Sequence, residues 1–170
     1  MWRAIVSAPK SRGGTFIEAK ITRWAIGSLG VVAIAVATAL PWYTAQAATG
    51  SAQMTGWGAW TTTGDVDASF RTLPLAVLVY PPAAVMVYSA VRSAFGLAVI
   101  GAIATLAAAI LPFMVMPAAD RHVPGSGAVG VEVAAAPLTL LAIALVATAV
   151  CWIGYARCVL RTSPRADAGT

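Results

Sequence analysis

The chain has 170 residues, 59% hydrophobic and only 10% charged, with a net charge of +5. Soluble domains carry roughly 25% charged residues, and a chain this short cannot wrap several wholly apolar helices in protein, so composition excludes an ordinary soluble globule. The basic excess does not mark a nucleic-acid binder, because its distribution along the chain follows membrane topology instead.

Four stretches, 25–48, 73–91, 94–119 and 133–155, cover about 92 of the 170 residues and contain no Asp, Glu, Lys, Arg or His. Roughly 20 apolar residues at about 1.5 Å rise each cross the hydrocarbon core. The sequence therefore predicts an all-α membrane protein, with residues 1–170 forming one four-span domain built as a four-helix transmembrane bundle. Ion and proton transporters place ionisable groups inside their helices, and these stretches offer none.

Residues 1–24 form a basic tail. A polar segment of this length ahead of a span that outruns an h-region is not a secretory signal peptide, so the first span is expected to be retained as an anchor. Trp2, Ile5, Val6, Phe16, Ile17 and Ile21 alternate with Arg3, Lys10, Arg12, Lys20 and Arg23. This pattern fits either a short amphipathic segment on an anionic leaflet or a disordered tail that only fixes orientation. Ser11-Arg12-Gly13-Gly14 is expected to interrupt any helix there.

The first span runs from Trp24, at one interface, to Pro41-Trp42-Tyr43 at the other, where aromatic rings favour the headgroup region. Gly27, Ser28, Gly30, Ala33 and Ala37 give it small side chains that let another helix approach. That helix belongs either to the same bundle or to a partner. The loop 49–72 is rich in β-branched and aromatic residues with a turn signal at Gly64-Asp65, which predicts a short β-hairpin or ordered loop. Trp57 and Trp60 in it either rest on the helix ends and the interface or serve as protein-binding anchors.

The second span is the shortest and carries Pro81-Pro82 near its centre, removing two backbone donors, so a kink or local unwinding is expected around Tyr80. Broken helices of this kind sometimes build transporter sites. Arg92-Ser93 alone separates it from the third span, which predicts a tight antiparallel hairpin. Gly96, Gly101 and many alanines make the third span a helix with close-packing surface on several faces. The loop 120–132 holds Asp120, Arg121, His122 and Glu132, but one His makes no convincing zinc set. The fourth span ends in Trp152, Tyr155 and Arg157, ahead of a tail over 156–170. Cys151 and Cys158 lie about two helical turns apart, too far for a disulfide.

Nine basic residues (Arg3, Lys10, Arg12, Lys20, Arg23, Arg92, Arg157, Arg161 and Arg165) fall on one side of this plan, against Arg71 and Arg121 on the other. Basic residues stay inside. The plan therefore predicts a multi-pass protein of a bacterial inner membrane, with both termini cytoplasmic and the two longer loops outside. No metal, cofactor or catalytic pattern is readable.

A first helix ending in Leu40-Pro41-Trp42, an outer loop reading Gly56-Trp57-Gly58-Ala59-Trp60 and an Ala-rich hairpin between cytoplasmic termini resemble small four-span membrane proteins of high-GC actinobacteria. Two groups share this plan: the Trp-associated membrane protein family, of unknown function, and LucB, the accessory four-helix subunit of mycobacterial Mce lipid importers. The resemblance spans the chain as architecture and implies an accessory place in a lipid-transport or cell-envelope complex. Claudin-like proteins also carry a Gly-x-Trp element in the first outer loop, but this chain lacks their outer cysteine pair. None of these groups supplies an active residue.

The expectation is a non-catalytic accessory or scaffolding subunit whose partners are other integral membrane proteins and the bilayer, with no cofactor and no nucleic acid. Partner contacts would use Trp57, Trp60, Gly27, Gly30, Gly96 and Gly101. A small oligomeric transporter or channel for a neutral or lipidic solute, with its site at Pro81, Pro82 and Tyr80, is the alternative. A lipid-acting enzyme using Asp120, His122 and Glu132 is the third.

Overall fold

Apolar runs interrupted by proline set the architecture, and the computed structural model describes residues 12–47, 50–64, 74–119 and 128–162. Four helices form: α1 (Arg12–Ala39), α2 (Ala76–Arg92), α3 (Phe95–Ala119) and α4 (Ala135–Thr162). Three contain segments long and apolar enough to cross a membrane, Ile17–Ala39, Phe95–Val115 and Ala135–Leu160, while α2 has 17 residues. Each helix packs against its neighbours in sequence and α4 closes against α1, giving an up-and-down ring of four.

Pro41 ends α1 earlier than the apolar run suggests. The first span was expected to reach residue 48, but the helix stops at Ala39, and Tyr43–Ala47 forms strand β1. Proline has no N–H to continue the ladder, and the chain turns at Trp42 into a four-stranded antiparallel sheet. β1 pairs on one side with β2 (Gly50–Met54), which pairs with β3 (Trp60–Gly64), and on the other side with β4 (Ala128–Val133). The hairpin expected between the first two helices is thus real but larger, because the second loop contributes its own strand. Val133 closes β4 rather than opening the fourth span, and α4 starts at Ala135.

Alternation along the strands decides which face is covered. Tyr43, Ala52, Met54 and Val131 are buried against the helix ends, while Gln46, Gln53 and Glu132 are exposed. A sheet packed on one face and wet on the other has this period of two. The Tyr43 hydroxyl donates to the Pro112 carbonyl of α3 at 2.9 Å. Its burial raises the phenol's pKa, so near neutral pH it remains a donor.

At the opposite end Arg92 and Ser93 make the α2–α3 turn, with Ser93 left-handed at φ 60° and its N–H bonded to the Ser89 carbonyl. Lys20, Arg23, Arg92 and Arg157 all lie toward this hairpin end, while Glu132 lies in the sheet. α1 begins at Arg12 and runs through Gly13-Gly14 without the expected interruption, and α4 carries on past residue 155 to Thr162. In both places the helix extends beyond the apolar span itself. The amphipathic reading of Trp2 to Arg23 falls partly on 1–11, outside the described residues, while its part from Arg12 on lies in α1.

Two clusters form the core. Near the sheet, Trp42, Tyr43, Met54, Leu75, Val79 and Leu140 pack with Ala33, Ala37, Ala76, Ala83, Ala109 and Ala136. Near the hairpin, Ile26, Met86, Ala98, Ala102, Ala147 and Cys151 form the second. Alanine at so many contacts lets the helix backbones approach closely.

Among the described glycines, Gly56 has the least room for a side chain. A Cβ there would stand 2.2 Å from the Ala37 carbonyl oxygen and 2.6 Å from the Trp42 Nε1. Gly56→Ala should therefore destabilise the protein by more than about 3 kcal/mol, at or beyond the upper end of ordinary overpacking, seen as loss of a cooperative thermal transition in mild detergent. Gly58→Ala, at φ 81° in the nearby turn, should cost only about 1 kcal/mol.

Candidate functional site

The sheet end has one gap left by a proline and two helix starts without a capping side chain to fill. Ala37 would normally accept from the N–H four residues on, but that residue is Pro41. The Trp42 indole Nε1 donates to the Ala37 carbonyl instead, at 2.9 Å, and the Trp42 side chain is fully buried. Neither α2 nor α4 begins with a Ser, Thr, Asp or Asn cap; Leu75 precedes α2 with no side-chain cap bond. Their orphan donors go to backbone carbonyls of the joint: Ala76 N–H to Gly56 at 2.9 Å, and Ala136 N–H to Pro41 at 3.0 Å. Trp42 completes the weld, its N–H donating to the Met54 carbonyl at 2.7 Å and its carbonyl accepting from Ala134 at 3.0 Å.

Trp57 sits at the tip of the β2–β3 turn, held by Gly58 N–H to the Thr55 carbonyl at 3.0 Å and Thr55 N–H to the Ala59 carbonyl at 2.9 Å. Its ring is 53% exposed and tilts against Tyr80, centroids 5.4 Å apart. The Tyr80 hydroxyl lies 2.8 Å from Thr38 Oγ1, tying the Trp57 turn to both α1 and α2. Trp60 is different: it is half-buried and packs on the core under the sheet. Of the two tryptophans, only Trp57 is available on the surface.

The four glycines separate in the same way. A Cβ on Gly30 would meet the Ala83 carbonyl oxygen and Val87 Cγ2, each at 2.9 Å, and one on Gly101 would meet the Pro82 carbonyl oxygen at 2.9 Å. Both serve contacts inside the bundle, Gly30 between α1 and α2 and Gly101 between α3 and α2. Gly27 is looser, its Cβ position 3.3 Å from Ala90, and Gly96 faces open space. Around Pro81-Pro82 the expected unwinding is absent: α2 runs continuously from Ala76 to Arg92. An interior proline forfeits the bond to the carbonyl four residues earlier, and the fully buried Val79, Ala83 and Met86 on either side of the pair pack the helix into the core regardless.

Hydroxyls in the helices turn back on their own backbones. Thr22, Thr38, Thr105, Thr139 and Thr148 each donate to the carbonyl four residues earlier, and Ser89 to the carbonyl three earlier. This satisfies them without water. Cys151 is buried and Cys158 exposed. Among the described residues no group of three His, Cys, Asp or Glu side chains could hold a metal; Asp120 and His122 lie outside those residues, and Glu132 is exposed on β4.

The roles of Trp42 and Gly56 at the joint, and strand β4 itself, are not among the sequence-based expectations. The alternation Val129-Gly130-Val131-Glu132-Val133 is the period-two signal that marks a strand. The Pro-Trp step was readable only as an interface element. No protein-family model, curated protein or solved structure matches the chain.

The glycines give a direct contrast. Gly30→Ala should lower stability in detergent by about 1–3 kcal/mol through overpacking, whereas Gly96→Ala should be neutral or stabilising by up to about 1 kcal/mol from helix propensity. Thermal unfolding of the two variants side by side reads both effects.

Proposed function

We propose that the protein is a non-catalytic accessory or scaffolding subunit of a multi-subunit bacterial inner-membrane complex, with all four helices spanning the bilayer and both termini in the cytoplasm. The observation that carries this reading is the sheet welded to one end of an apolar bundle. Two loops that could have remained independent are combined into one platform, joined to α2 and α4 by backbone bonds and to α1 by the Trp42 indole bond to the Ala37 carbonyl. A platform held that rigidly is suited to presenting a surface.

The surface itself has two parts. Thr61, Thr62 and Thr63 of β3 are exposed, and among the described residues β3 pairs on one side only. An open edge is a template for a strand from another chain. Trp57 stands beside it, an amphipathic ring of the kind favoured at interface centres.

The orientation follows from Lys20, Arg23, Arg92 and Arg157 at the hairpin end. At 17 residues α2 rises about 26 Å, near the lower limit for a span, and it packs along both α1 and α3. A lipid-transport or cell-envelope assembly is the partner type implied by the resemblance to four-span accessory subunits.

Co-purification of the tagged chain in mild detergent should recover a stoichiometric membrane-protein partner. Trp57→Ala should reduce that recovery at least tenfold while costing the fold only about 0.5–1.5 kcal/mol from the lost ring pair. A reporter fused after Thr170 should be active only in the cytoplasm. Recovery of the chain alone, or unchanged recovery with Trp57→Ala, would contradict the proposed role.

A further inference from the structure

An open groove of about 640 Å³ runs between α1 and α2 at the hairpin end. Its volume lies within the range of small-molecule sites, about 300–1,000 Å³. The floor is where the helices touch, at Gly27 and Ala90, and the walls are apolar, chiefly Val31, Val87 and Trp24. One end is unlike the rest: Lys20 and Arg23 line it. Arg23 Nη1 donates to Ser93 Oγ in the α2–α3 turn, which fixes the guanidinium at the mouth.

Helical spacing puts this arrangement on one face of α1. Lys20, Arg23, Gly27 and Val31 follow one another at three or four residues, so cations and apolar walls are stacked in line. Glu18 is two residues before Lys20, about 200° around the helix, and so points away from the groove mouth. Positive charge at the end of an apolar channel is complementary to a molecule with an anionic head and a hydrocarbon tail.

We propose that this groove binds one anionic phospholipid from the leaflet at the hairpin end, its phosphate between Lys20 and Arg23 and an acyl chain along the valine-lined wall. The inference rests on the reading that these helices lie in a bilayer. Guanidinium and ammonium groups are the usual phosphate partners, and basic pockets between spans on the cytoplasmic side suit anionic head groups. A partner helix laid in the same groove would cover both cations with apolar surface and leave them without a counter-charge.

The full chain is reconstituted into nanodiscs of phosphatidylcholine containing a minor fraction of phosphatidylglycerol, released, and weighed by native mass spectrometry. Wild type should retain one phosphatidylglycerol at least tenfold in excess over its share of the bilayer. Lys20→Gln with Arg23→Gln should lose that preference. Ser28→Trp, which fills the groove from an exposed position and leaves both cations in place, should lose it too, and glycerol phosphate in solution should not compete. Equal retention of the two lipids by wild type, unchanged preference in either variant, or a second copy of the chain held in the groove and released by Ser28→Trp would overturn the proposal. Failure of the chain to enter nanodiscs at all would overturn the bilayer reading beneath it, a distinguishable result.

Discussion

The structure turns on one hydrogen bond, from the buried Trp42 indole to the Ala37 carbonyl. Pro41 creates the need for it by withholding the amide that would have closed the last turn of α1. A buried carbonyl left without a partner costs about 1–3 kcal/mol, and in an apolar setting nothing but protein can supply one. Once the indole is committed there, the Trp42 backbone is fixed in the crevice where α1, the sheet and α4 meet. Its N–H then reaches Met54 and its carbonyl reaches Ala134. Gly56 is required by the same geometry, because no side chain fits between the indole and the Ala37 carbonyl.

From that joint the architecture spreads in two directions. Toward the sheet, β1 receives β2 and β4 on its two sides, so both long loops share one platform. Toward the bundle, carbonyls of Pro41 and Gly56 cap α4 and α2, whose own sequences offer no capping side chain. The helices then need little more than close contact. Alanine and glycine supply it, and the few hydroxyls bond within their own helices. Charge is left at the ends, where Lys20 and Arg23 frame a groove with an apolar interior.

Much of this was legible in the amino-acid order. Long uncharged runs gave the four helices, and Arg92-Ser93 gave the hairpin, because those signals are local. Small residues marked close helix contacts correctly, but the same Gly pattern fits an internal or an external neighbour. Only the structure separates Gly30 and Gly101, which meet α2, from Gly96, which meets nothing within 4 Å. The end of α1 was misread because Tyr43–Ala47 is apolar enough to look like more span, and hydropathy does not distinguish a covered strand from a helix. β4 is short and pairs with residues more than 80 positions away, a pairing that no local window contains. Trp42 looked like an interface aromatic for the same reason: its role is set by partners distant in sequence.

Hydrogen exchange on the Trp42→Phe variant in mild detergent tests the central claim most directly. If the indole bond holds the joint, amides of β1 and β2 and those of Ala76, Ala134 and Ala136 should lose protection together, by about tenfold or more, while α3 amides near Ala98 and Ala102 stay protected. Loss of protection confined to the last turn of α1, with the sheet and the first turns of α2 and α4 unchanged, would contradict the account.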